Sequence, residues 1–497
     1  MNIRTVLAAT LLAGVAFSAQ AQTLRVGLQE DPDVLDPHRA RTFVGRIVFT
    51  SICDKLVDVT PDLKIVPQLA TEWTFSDDGK LLTMKLRPGV KMHDGEPMNA
   101  DAVKFSLDRA RSLQDSMRKS EVASIESVEV ADPLTVLIRL ARPDATLLAQ
   151  LTDRAGMILS PKAGNDFAGK PVCAGPYKFV DRVQNNRITV ERFDEYWNKS
   201  AYNFQRVVYQ IIPDTTVRLA NLKAGDLDIL ERLAPTDYKS ATSDARLKVV
   251  TEASLGYQAM TVNTTNGEKA NAPLGKDKRV RQALSLSLDR EIISQVVFDG
   301  LYPPNDQPFP SVSPYFDKAR KLEKRDIAKA KALLKAAGAE KVTIEMHVAN
   351  NPVDMRTGEV IQAMAAEAGI TITIKASEFA TQLKEQQQGQ FQLSRIGWSG
   401  RIDPDGNIHQ FLTCKGGLND GKYCNEAVDK ALNDARVTYD PAKRKALYDA
   451  AQAILQDELP IIYLYNQPGL WAMSKKLDGF VAYPDSMIRL QGVKLAP

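Results

Sequence analysis

Residues 72–109 constrain this chain more than any other stretch. Trp73 and Phe75 fall on one face, Ser76-Asp77-Asp78-Gly79 turns, and Leu82, Met84 and Leu86 continue the alternation, so the segment reads as a hairpin with one apolar face. Arg87-Pro88-Gly89 and His93-Asp94-Gly95 follow as tight turns. Asn99 or Asp101 then caps a helix that carries Val103, Phe105, Leu107 and Ala110. Trp73, Phe75 and Leu86 are expected to build the core of this unit.

The first residues read as an export leader. Arg4 supplies a positive start, Val6 to Phe17 an apolar run, and Ala19-Gln20-Ala21 a small-x-small cleavage site, with the mature chain expected to begin at Gln22. The apolar run falls short of the about 20 residues that a spanning helix needs. No cysteine follows the cleavage site, which argues against a lipid anchor, and a lone arginine argues against twin-arginine export. The roughly 475 residues that remain exceed the capacity of one core, so two or three domains are expected. A composition of 44% hydrophobic and 25% charged residues supports a packed fold. A net charge of +3, well mixed, gives neither a nucleic-acid footprint nor a basic block for a membrane surface.

Four cysteines in an oxidising compartment suggest disulfides. Cys414 and Cys424 enclose a polar, glycine-containing loop and are well spaced to pair. Cys53 and Cys173 are the remaining pair; the alternative is two buried free thiols. No C-x-x-C spacing points to zinc, and no metal or cofactor is expected.

Along the chain, both element types alternate, which indicates a mixed α/β fold. Residues 23–28 read as a strand, 43–57 as a helix, 128–130 and 134–140 as a hairpin, and 207–212, 215–224 and 226–229 as strand, helix and strand. Residues 256–263 alternate and enter a new domain. Residues 277–298 read as one long helix, 342–348, 353–368 and 370–375 as a second βαβ-like unit, and 461–465 as a buried strand. Asp440-Pro441 is a cap and first-turn pair for a helix over 441–457.

Several motifs mimic chemistry without completing it. Gly416 to Lys422 resembles a phosphate loop but is followed by Tyr423 rather than Ser or Thr. Ser116-Met117-Arg118-Lys119 matches S-x-x-K with neither S-D-N nor K-T-G elsewhere. His38, His93, His347 and His409 are scattered and form no H-E-x-x-H. A dispersed triad or carboxylate pair stays open on the sequence alone.

A further set of blocks spans almost the whole mature chain: Leu69-Ala70-Thr71-Glu72-Trp73 with its hairpin, Gly175-Pro176-Tyr177-Lys178-Phe179, Phe193-Asp194-Glu195-Tyr196-Trp197, Val280-Arg281-Gln282-Ala283-Leu284 with Asp289-Arg290, and Gly397-Trp398-Ser399-Gly400 with Asp403-Pro404-Asp405. In these blocks the chain resembles the family 5 (peptide/nickel/opine type) solute-binding proteins of bacterial ABC importers. The resemblance implies a bilobal periplasmic-binding-protein fold of the class II type, with an extra α+β domain inserted in the first lobe. Lobe I would comprise 22–68, 172–258 and 472–497, the additional domain 69–171, and lobe II 259–471, with chain crossings near 258 and 472 acting as a hinge. It implies a periplasmic monomer that catalyses nothing, encloses a short peptide or peptide-like solute, and hands it to a membrane permease.

The same resemblance nominates ligand contacts. Trp398, between glycines, would form an apolar wall, with a core tryptophan as the alternative, and Ser399 lies beside it. Tyr257, Asn350 and Asn351 would contribute from the second lobe, facing Phe43 and Ala174 from the first. Peptide binders of this type often carry an aspartate just after the Gly-Trp-x-Gly block. Here that position is Arg401, which would repel an ammonium and favour an anionic group, while Asp403 remains available to an amine if the loop is re-registered. The alternative for Arg401 is a surface arginine or an internal ion pair with Asp403 or Asp405. Two other functions compete: a secreted hydrolase of peptides or glycans, and a nickel or metallophore receptor.

Overall fold

The computed structural model describes residues 22–164 and 167–496; the expected leader, residues 1–21, lies outside them. A seven-stranded sheet is organised around Thr23–Leu28, which pairs in parallel with Arg206–Ile211 on one side and Ile229–Leu230 on the other. Leu24, Val26 and Leu28, alternate residues that share one face of this central strand, are all buried. A five-stranded sheet runs in the order Ile370–Ser377, Val342–Ala349, Leu393–Trp398, Tyr257–Val262, Ile461–Tyr465, its first three strands mutually parallel. The fold is thus bilobal and α/β.

A four-stranded antiparallel sheet carries the hairpin anticipated above, Ala70–Phe75 with Leu81–Leu86, flanked by Thr135–Leu140 and Ile125–Asp132. Gly79 sits at φ +67°, the conformation that reserves this turn position for glycine. Leu82, Met84 and Leu86 pack with Val103, Leu107 and Ala110 of the helix Ala100–Ser112, while Trp73 and Phe75 cover the same core half-buried. Of the two possible caps, Asn99 is used: its side-chain oxygen accepts from Ala102 N at 3.1 Å.

Two helices differ from expectation. The stretch read as one helix over 277–298 is two, Lys278–Ser287 and Arg290–Phe298. Leu288 and Asp289 are extended between them because the Asp289 carboxylate accepts from Ile292 N at 3.0 Å and starts a second helix. The first helix ends at Ile52 rather than 57, where Cys53 turns extended into its disulfide. Both disulfides, Cys53–Cys173 and Cys414–Cys424, are present.

The chain passes between the seven- and five-stranded sheets at 253–256 and again at 466–468. Both crossings lie a few residues ahead of the expected 258 and 472. Turn-forming residues, Ser254 and Gly256 in one and Gln467-Pro468 in the other, end one strand and release the next. A Cβ on Gly256 would stand 2.3 Å from Trp398 O, and one on Gly400 (φ +81°) would stand 2.4 Å from the Leu255 carbonyl carbon. The first crossing therefore lies hard against the Trp398–Gly400 loop.

Candidate functional site

Between the two sheets lies a cavity with an empty volume of about 1680 Å³, open solvent at its mouth included. Gln29 and Glu30 enter it directly after the strand Thr23–Leu28, and Glu231 and Arg232 directly after the neighbouring Ile229–Leu230. Adjacent parallel strands whose connections diverge leave such a crevice at their carboxyl ends. The opposite wall comes from Tyr257 and Trp398, directly paired across neighbouring strands of the five-stranded sheet.

Four of the residues nominated from sequence, Phe43, Tyr257, Trp398 and Ser399, line this cavity from both sides. Trp398 is held by a hydrogen bond from its Nε1 to Asn407 Oδ1 (3.1 Å) and by edge-to-face packing on Phe411. The Tyr257 ring packs edge-on against Tyr463 at 4.9 Å. Phe43 lies under the Arg232 guanidinium at 4.7 Å.

Five lie elsewhere. Ala174 is buried in the core of the four-stranded region. Asn350 is exposed, and Asn351 caps the helix Pro352–Ala366 while its Nδ2 donates to Asp354 Oδ2 at 2.7 Å. Asn351 thereby positions a carboxylate that does line the cavity. Asp403 is held by a bidentate pair with Arg444 (2.6 and 2.7 Å). Arg401 is stacked on Trp398 at 4.2 Å and pairs at 3.2 Å with Asp153 rather than with Asp403 or Asp405, whose oxygens serve Arg444 and Arg436.

Sequence reasoning missed most of the charged lining. At one end Glu30, Glu231 and Asp354 form an acidic group around Arg232, which stands 3.8 Å from Glu30 and 3.5 Å from Glu231. Arg232 holds a left-handed backbone (φ 48°), uncommon for a residue with a side chain and characteristic of functional loops. The one available signal was position: Gln29 and Glu30 are polar residues at the end of the first strand. Asp354 pairs with Arg395, which also donates to Tyr465 Oη. Across the cleft, Arg41 donates to Asp420 (2.6 Å) and Arg46 to Ser399 Oγ (2.8 Å), so polar contacts join the lobes beside the cavity.

Burial, reinforced by Glu231 and Asp354 and opposed by Arg232, pushes the Glu30 carboxyl up to about 8. A carboxyl raised on folding favours the folded state fully below its unfolded value of about 4.3, and loses that contribution as pH rises through the folded value. Glu30→Gln is therefore expected to be more stable than the parent at pH 9 by about 1–3 kcal/mol, with the difference vanishing near pH 4. Urea unfolding at the two pH values checks this; a pH-independent difference would refute it.

The architecture has relatives. A family model described as bacterial extracellular solute-binding proteins, family 5 Middle, matches residues 64–419. The glutathione-binding protein GsiB of Pectobacterium atrosepticum is 28% identical over 505 residues, covering 98% of this chain and 96% of its own length. The dipeptide-binding protein of Escherichia coli K12 is 29% identical over 514 residues, covering 95% and 94%. The structure of AgaA from A. tumefaciens R10, in complex with agropinic acid, superposes with a TM-score of 0.87 at 25% identity over 96% of this chain and 99% of that one. The family match takes in the hairpin, the first crossing and the Trp398 loop together, and the chain belongs to the family 5 bacterial extracellular solute-binding proteins.

Proposed function

We propose that this protein is the periplasmic solute-binding component of an ABC importer and captures a short peptide or peptide-like organic solute between its two lobes. The observation that carries this reading is the cavity itself: its aromatic walls, Phe43 on one side and Tyr257 with Trp398 on the other, belong to lobes joined by two short crossings. Enclosure between hinged lobes excludes water and needs contacts from both sides. The relatives named for glutathione and dipeptides match along nearly the full chain. The mature form would start at Gln22, act as a monomer, and present its closed shape to a membrane permease. No helix among the described residues is long and apolar enough to cross a membrane.

Native mass spectrometry of the exported protein, followed by calorimetric titration with dipeptides and glutathione, tests the reading. Phe43→Ala and Trp398→Ala, from opposite walls, are each expected to weaken binding about tenfold or more, since each removes an aromatic surface the enclosed solute covers. A solute released chemically altered, or affinity insensitive to both substitutions, would count against it.

A further inference from the structure

The polar contacts across the cleft sit at opposite ends of the five-stranded sheet. Both crossings join that sheet at one end: the first runs into Tyr257, and the second leaves Tyr465, which pairs with Gln258. Trp398 pairs with Tyr257 there, so the Arg46–Ser399 contact lies beside the hinge. The Arg41–Asp420 pair lies at the other end. A Cβ on Gly421 would stand 2.3 Å from Val262 O, Gly421 O accepts from Thr264 N and Thr265 N at 3.0 Å each, and Asp420 O accepts from Asn266 Nδ2 at 2.7 Å. The extended chain from Gly256 to Val262 puts about 20 Å between hinge and pair. Each half of the pair is held by its own lobe. The Cys414–Cys424 bridge closes the loop that carries Asp420, and Gln386 Nε2 donates to Asp420 Oδ2 at 2.7 Å. Opposite, Arg41 N donates to Asp33 Oδ2 at 2.8 Å, and the neighbouring Ala40 O accepts from Arg154 Nη1 at 2.6 Å and from Arg118 Nη2 at 3.3 Å. These two buried arginines brace the segment that presents Arg41. Arg41 Nη2 then donates to Asp420 Oδ2 at 2.6 Å, and its Nη1 to Leu383 O at 3.4 Å. The two side chains are only 10% and 5% exposed, whereas lobes parted at this end would return both to water.

We infer that Arg41 and Asp420 form a closure latch: they are positioning residues that hold the lobes shut and set how fast the solute leaves rather than which solute enters. A swing about the hinge parts the lobes most at the end farthest from it, so this pair must break for the cavity to open, while the Arg46–Ser399 contact beside the hinge moves little. A charge-assisted hydrogen bond with good geometry, shielded from water in the closed state and exchanged for hydration in the open one, favours closure. Removing one partner leaves the other charge stranded only when the lobes are shut, so the loss falls on the closed state. Both residues line the cavity, and a direct contact with the solute is the alternative the experiment tells apart. The latch rests on the reading of the cavity as a site enclosed by moving lobes.

The test uses the mature protein with both disulfides formed, carrying dyes through Ser200→Cys and Lys335→Cys, exposed positions on the two lobes. Single-molecule fluorescence transfer between the dyes gives the lifetime of the closed state, first without solute and then with alanyl-alanine or glutathione. Asp420→Asn, Arg41→Gln and the double variant are each expected to shorten that lifetime about tenfold or more, the double no further than either single, because the same contact is lost in all three. Affinity for alanyl-alanine and for glutathione is expected to fall by one common factor, carried by the dissociation rate. A closed lifetime unchanged in the single variants, additive losses in the double, or a parent that shows no closed state overturns the latch. Unequal losses for the two solutes overturn it as well and assign the pair to the solute. Should Asp420→Asn fail to fold, Arg41→Gln, which leaves the bridged loop untouched, decides alone. If neither peptide binds while the closed lifetime without solute still shortens, the latch stands and the peptide-like reading ends instead.

Discussion

Replacing Cys53 and Cys173 together by alanine is expected to lower stability by about 5 kcal/mol, against about 3 kcal/mol for Cys414 and Cys424. The difference follows from the chain each bridge closes: the paired residues are 120 apart in one and 10 in the other. A longer closed loop removes more freedom from the unfolded chain. The first bridge also sits where packing is tight. A Cβ on Gly175 would stand 2.4 Å from the Ile52 carbonyl, and Gly175 N donates to Ile52 O at 3.0 Å. It ties the end of the first helix to the point where the chain returns from the four-stranded region. Urea midpoints of the two double variants check the ranking, and equal losses would refute it.

Asp405→Ala is expected to cost about 3–5 kcal/mol, because it strands a buried guanidinium. Arg436 donates to both Asp405 oxygens, at 2.8 and 2.7 Å, and Gln150 Nε2 reaches the same carboxylate at 3.2 Å. Asp405 and Arg436 are 1% and 4% exposed, so water cannot replace the lost partner. Burial raises the Asp405 carboxyl, but Arg436 outweighs it and the net displacement is downward. Its stabilising contribution is then present above its unfolded value of about 3.9 and fades as pH falls below it. Joint replacement, Asp405→Leu with Arg436→Met, is expected to recover most of the loss, since an apolar pair leaves no uncompensated charge. A double variant no better than Asp405→Ala would refute this account.

The sequence was most legible where local rules act alone. The alternation through Leu82, Met84 and Leu86, the Ser76–Gly79 turn and the Asn99 cap are each set by neighbours a few residues away. Trp398 stood out because glycines flank it, and one of those positions, Gly400, has a positive φ with backbone packed against it. The single helix expected over 277–298 failed for a local reason as well: Asp289 is a stronger cap than a helix-interior residue. The charged groups were hidden because they are assembled from afar. Glu30 and Glu231 meet only because parallel strands some 200 residues apart in sequence are neighbours in the sheet. Arg118 lay inside an S-x-x-K match dismissed as a decoy, and nothing around Arg154 marks it as a brace for the segment that presents Arg41. Arg401 was singled out on charge, but its partner Asp153 comes from the four-stranded region rather than from its own loop.

Gly256 and Gly400 leave no gap for even a methyl group between the lobe-crossing segment and the loop that follows Trp398. The tether and the gripping surface are therefore one mechanical joint. A cargo too bulky for the space before Trp398 would have to displace that loop, and with it the pivot itself. With that crossing as the pivot, an oversized guest would be expected to jam the jaws ajar rather than to be turned away at the rim.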